Sequence, residues 1–159
     1  MLGSVMRAHQ QREPYWVHAI LDWQWTLPAA RIALTGGYVL GGLTKLFDFP
    51  AAVAEMMRFG LSPGWLWATL SILVELGCSA LVISGYLVWL GAGGLGVLTA
   101  VAMLVAHNFW AAPAGAQLRV ANDFCEHLGL IAGFVLVALI ADRSRETGRR
   151  KISQTPVLQ

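Results

Sequence analysis

The sequence predicts an all-α polytopic membrane protein. The expected architecture is an antiparallel four-helix transmembrane bundle, with a short interfacial N-terminal helix before it and a basic cytoplasmic tail after it. Three observations predict this. First, 57% of the 159 residues are hydrophobic and 13% are charged, where an ordinary soluble domain carries about 25% charged residues. The mean hydropathy is +0.60. Second, four apolar stretches approach the roughly 20 residues that a helix needs to cross a bilayer. Third, the basic residues are unevenly placed: five of the eleven, Arg143, Arg145, Arg149, Arg150 and Lys151, follow Ala141. This composition excludes disorder. A net charge of +2 is too small to point to a nucleic-acid partner, and two cysteines make no disulfide scaffold.

The elements follow in order. Residues 1–28 are polar and aromatic, with Arg7, Arg12, Glu13 and Asp22 and no short apolar core before a small-residue cleavage site. Trp16, Trp23 and Trp25 predict a short helix at the headgroup level, which tryptophan prefers. The first span is expected over about 29–47, with Pro28 suited to its first turn. The second runs over about 65–84, opened by Ser62-Pro63-Gly64. The third, about 87–109, follows a Ser84-Gly85-Tyr86 turn so short that the two must form an antiparallel hairpin. The fourth covers about 122–141, so the transmembrane domain is 29–141 and the basic tail 142–159.

Between the first two spans, 48–64 predicts a short helix that ends at Gly60, either a lid over the bundle or a plain interfacial connector. The positive-inside rule puts the tail, and with an even number of spans both termini, in the cytoplasm. Gly37-x-x-x-Gly41, Gly129-x-x-x-Gly133 and the glycines of the third span predict close helix contacts. Cys78 and Cys125 lack CxxC, zinc or haem spacing, and a disulfide between them is not expected.

Ionisable groups inside a span are costly and must face the bundle, water or a partner. Each span carries one polar stripe at helical spacing: Arg31, Thr35, Tyr38, Gly42 and Lys45; Ser71, Glu75, Cys78 and Ser79; Thr99, Met103 and His107; Asn122 with Glu126, beside Asp123 with His127. A rise of about 1.5 Å per residue places Glu75 roughly 15 Å into its span. Lys45, His107, Glu126 and His127 fall in the outer third.

Every one of these residues has a plain structural reading. Glu75 is either a buried acid paired with Lys45 or a hydroxyl, or a ligand-binding or proton-carrying group. Lys45 and Arg31 sit near span ends and can snorkel to headgroups. Asn122 and Asp123 suit an N-cap, and Glu126 suits a first helical turn. A metal could be held by His107 with Glu126, or by Asp123 with His127. HExxH and ExxH spacings are lacking, however, and residues 126 and 127 point about 100° apart, so no metal site is expected.

In their order and spacing these features resemble the DoxX family of small four-span membrane proteins. The segments that carry the resemblance are RIALTGGYVLGGLTKLFDF (31–49), MRFGLSPG (57–64), Glu75-Leu-Gly with 81–85, His107-Asn-Phe-Trp, and DFCEHLGLIAGF (123–134). The resemblance implies a bacterial inner-membrane bundle, and a kinship with proteins that serve quinone-linked or respiratory enzymes. It places Lys45 and Glu75 at the family's typical lysine and second-span acid. The fourth span departs from it, with Glu126-His127 where relatives often read Lys-Asn.

Three functions are then open. A subunit or anchor of a quinone-linked redox complex would use Lys45, Tyr38, Glu75, His107 and His127 as a quinone pocket in the outer half of the bundle. Glu75, Glu126 and His107 would form its proton relay. The sequence holds no ligation pattern for haem, flavin or metal, so electrons would come from a partner membrane or peripheral redox protein. A purely structural or assembly subunit would use the same polar stripes as internal glue. Small-molecule permeation ranks last, since four helices leave little room for a pathway and no pair of broken helices stands out.

Overall fold

The computed structural model describes residues 14–106, 113 and 115–153, and all the regular structure among them is helical. In order these are α1 (Tyr15–Leu21), α2 (Thr26–Phe47), α3 (Phe49–Arg58), α4 (Gly64–Leu73), a π-helical turn (Val74–Cys78), α5 (Ser79–Ser84), α6 (Val88–Ala106) and α7 (Gln117–Ser153). The chain divides into two compact units, 1–30 and 31–159, and the division falls inside α2. In the first unit, α1 buries none of its residues, and Trp16, Trp23 and Trp25 are exposed. The Thr26 hydroxyl donates to the Ile20 carbonyl, tying the start of α2 to the end of α1.

Among the described residues, three stretches are long and apolar enough to cross a membrane: Gly64–Ser84, Val88–Val105 and Gln117–Glu146. No more than a third of each is buried within the protein. Large side chains such as Leu73, Val97, Leu104 and Leu136 point outward, as expected where lipid is the solvent. α2 has 22 residues and is about 33 Å long. It is not among the three, because Arg31, Thr35, Thr44, Lys45 and four glycines dilute its apolar content.

Each helix begins and ends for a local reason. Asp48 caps α3 by accepting a hydrogen bond from the Ala51 amide at 3.2 Å, and Pro50 lies in the first turn, where its missing N–H costs nothing. α5 ends at Gly85, whose φ of +77° is the left-handed conformation of a helix stop. Gly85 is needed a second time: a Cβ there would lie 2.8 Å from Nη1 of Arg31. Arg31 packs its guanidinium on this turn. Gly85→Ala should therefore lower the thermal unfolding midpoint. It combines about 1 kcal/mol of left-handed backbone strain with a displaced guanidinium. A midpoint equal to the parent's would show that neither constraint holds.

Two departures from the sequence reading concern helix continuity. The second span is one helix over Gly64–Ser84, as expected, but it takes a π-helical turn at Val74–Cys78, which periodicity cannot reveal. α7 does not stop near Ala141 but runs to Ser153, about 55 Å against a bilayer core of about 30 Å. Nothing at Ala141 breaks a helix, and the next proline is Pro156.

The core lies where α5, α6 and α7 meet. Val82, Val88, Ala92, Leu95, Phe134 and Val137 form one buried cluster, joined by Leu34 and Tyr38 of α2. The expected glycine contacts are half used. Gly37 and Gly129 face open space, whereas Gly42, Gly91, Gly94 and Gly133 meet neighbouring helices. At Gly42 the approach is close, since a Cβ would sit 2.8 Å from the Leu76 side chain and 3.2 Å from the Glu75 Cβ. This packing brings α2 against the π turn.

Candidate functional site

The site grows from that contact. Gly42 admits α2 to the π turn, and Lys45, one turn further along α2, meets Glu75. Lys45 Nζ donates to Glu75 Oε1 at 2.6 Å. The side chains are 20% and 10% exposed, so the charges are largely removed from solvent and depend on each other. The second carboxylate oxygen, Oε2, is buried and has no hydrogen-bond partner among the described residues. Gly41 stands beside it: a Cβ there would lie 3.4 Å from Oε2 and 3.7 Å from Lys45 Nζ. The missing side chain at Gly41 leaves the second carboxylate oxygen and the ammonium side by side against the glycine backbone.

A second polar contact joins α2 to α6. Tyr38 Oη and Thr99 Oγ1 are 2.5 Å apart. Thr99 has a single hydroxyl proton and donates it to the Leu95 carbonyl at 2.6 Å, so Tyr38 is the donor to Thr99. The Tyr38 ring meets Phe134 edge-on at 5.4 Å. α2, α6 and α7 are thus joined at one level. The hydroxyls of Ser71 and Ser79 are also buried without a partner among the described residues.

The structure brings Lys45 and Glu75 into contact and puts Tyr38 in the same interior. It places Glu126 elsewhere. That residue is exposed on α7, and its Oε1 accepts from Asn122 Nδ2 at 3.1 Å, one turn away. The expected pairing of these two on one face of the fourth helix is present, but the face is an outward one. His127 is half-buried, with Nδ1 2.7 Å from the Asp123 carbonyl. A carbonyl only accepts, so this nitrogen carries the proton. His107 lies outside the described residues. Among the described residues no group of three or more His, Cys, Asp or Glu could hold a metal ion.

A groove of about 590 Å³ runs between α6 and α7, lined by Val88, Gly93, Gly96, Ala100, Phe134 and Ala138 among others, with Asp142 and Arg145 at one end. Lys45, Glu75 and Tyr38 do not line it. Sequence reasoning missed both this groove and the π turn that presents Glu75. An acid beside a glycine within an apolar helix, Glu75-Leu76-Gly77, was the available signal for the second.

The DoxX family model matches residues 26–108, from the first residue of α2 to just beyond α6. α7 lies outside the match. No curated protein and no solved structure matches the chain.

Proposed function

Because the chain belongs to the DoxX family, we propose that it is an inner-membrane subunit or anchor of a quinone-linked redox complex. On this reading α2 is a fourth span and the four long helices form an antiparallel bundle. The length of α2 supports this, as do its contacts with the π turn, α6 and α7. The weight of basic residues in the tail sets both termini in the cytoplasm. The tryptophans around α1 then lie at the inner headgroup level.

One observation carries the site: Glu75 spends one oxygen on Lys45 and keeps the other, beside Gly41, without a partner among the described residues. A quinone carbonyl accepts hydrogen bonds and a quinol hydroxyl donates them. Lys45 supplies the donor that the first requires, and Glu75 Oε2 the acceptor that the second requires. A bound quinone would supply the carrier for electrons delivered by a partner redox protein. The chain's own residues orient the head and exchange its protons. His107 and His127 are further candidates for the rim of the pocket, and Glu126 and His107 for the route to solvent.

The test is quinone-dependent electron transfer in native membranes. Glu75→Gln removes the charge. Gly41→Ala fills the space beside Oε2 at an ordinary contact distance. Each should reduce activity by about tenfold or more, the equivalent of one lost hydrogen bond to a charged group, while the amount of assembled protein stays constant. Full activity in both variants would remove the quinone pocket from consideration.

A second reading, an assembly subunit without a ligand, is favoured by the same ion pair seen as glue between α2 and the second span. It predicts that assembly and activity are lost together.

A further inference from the structure

Six hydroxyls on the helices donate back to a carbonyl of their own helix: Thr35, Thr44, Thr69, Ser84, Thr99 and Ser144. This is the default for a serine or threonine in a helix far from water. Ser71 and Ser79 do not follow it. Both are buried, at 7% and 0% exposure, and neither hydroxyl has a partner among the described residues. They flank Glu75, itself 7% exposed with Oε2 equally unpartnered. The three share one face of the second span, over about 12 Å of helix rise. The π turn lies between the two serines, and such turns widen a helix and concentrate at functional positions. Each buried polar group left unsatisfied costs about 1–3 kcal/mol, and internal water is the partner that such groups take in protein interiors.

The seam has unlike ends. Beyond Ser79 comes Val82, fully buried in a layer with Val88, Leu95 and Phe134, none more than 2% exposed. Towards the start of α4 the buried residues are small, Ala68 and Gly64, and Gly64 lies under Val53 and Met57 of α3, so access at this end is on the Lys45 side. The Lys45 side chain, two residues from the end of α2, is 20% exposed.

We propose that Ser71, Glu75 and Ser79 form a hydrated proton seam, closed at one end by the Val82 layer, through which Glu75 exchanges protons with one membrane face only. The step is a proton transfer without redox change: hydronium gives its proton to Glu75 Oε2, leaving a neutral carboxyl group and water, and the return step reverses it. Among the described residues, the ionisable groups around Glu75 are Lys45 and Tyr38 from α2 and Cys78 from its own turn. α6, packed on that turn, has no titratable side chain over Val88–Ala106. The inference rests on Glu75 as the proton-exchanging acid of the proposed pocket, and it requires no quinone.

The experiment uses the full chain in right-side-out and inverted membrane vesicles without added quinone. A membrane-soluble carbodiimide, which modifies protonated carboxyl groups, is followed at Glu75 by peptide mass spectrometry while the pH of each compartment is set separately. Labelling should rise several-fold when the compartment at the Gly64 end is acidified, and should ignore the other compartment. Ser71→Ala should abolish that response, and Thr44→Ala, whose hydroxyl is bonded within its own helix, should retain it. Val82→Ser should make labelling respond to both sides. Labelling that follows the Ser84-end compartment, follows neither, or is unchanged in both Ser71→Ala and Val82→Ser would overturn the seam. It would do so without touching the quinone reading, which is tested by electron transfer.

Discussion

Replacing Lys45 by Met should destabilise the protein by about 3–5 kcal/mol, the usual cost of stranding one member of a buried ion pair. Glu75 would keep a buried charge with neither of its oxygens partnered by the described residues. Replacing Glu75 by Leu in the same chain should recover most of that loss. An apolar pair of similar volume has no desolvation cost to offset, and such swaps are often neutral or stabilising. The measurement is the thermal unfolding midpoint in detergent of the parent, Lys45→Met, Glu75→Leu and the double variant. Additive losses in the double variant would show that the two residues act independently, against the 2.6 Å contact. The double variant also separates the functional readings. Folded, assembled and inactive, it supports a ligand or proton role; folded, assembled and active, it leaves the pair as glue.

Phe134→Ala should cost about 3–5 kcal/mol by the measure of large-to-small core substitutions. Phe134 is 2% exposed and is the largest of the fully buried side chains among the described residues. Its ring is the edge partner of Tyr38 and the centre of the cluster that joins α5, α6 and α7. In a bilayer the gain on burial is chiefly packing, because lipid chains are as apolar as the core. The loss is therefore mostly the cavity. Phe134→Leu, which keeps much of the volume, should retain more than half of the stability difference. Equal midpoints for the Ala and Leu variants would show that the site collapses around whatever fills it. Because Phe134 also buttresses Tyr38, the Ala variant should loosen the Tyr38–Thr99 hydrogen bond, read as altered tyrosine absorbance.

Much of the interior was legible in the residues alone. Thr35, Gly42, Ser71, Glu75, Ser79, Thr99 and Met103, placed on polar stripes by a 3.6-residue period, are all buried. A costly group in a span has few places to go, so its face is dictated by energetics before any packing is known. The hairpin between α5 and α6 and the short helix after Asp48 were equally plain, because a left-handed glycine and an N-cap act within a few residues. The glycine motifs were weaker guides. Gly37 and Gly129 satisfy the spacing and touch nothing, because spacing identifies a possible contact surface and not which neighbour arrives.

By itself, then, the sequence determined the helical class, the apolar character that belongs in a bilayer, and the inward face of the first three spans, since each follows from transfer energies that act residue by residue. Tertiary structure decided the rest. It aimed Glu75 through a π turn at Lys45 and left Oε2 open beside Gly41. It turned Glu126 outward to Asn122 and set Arg31 against Gly85. These outcomes depend on the rotation and spacing of whole helices against one another. Such rotations are set by small differences among many packing contacts, and no local run of residues encodes them.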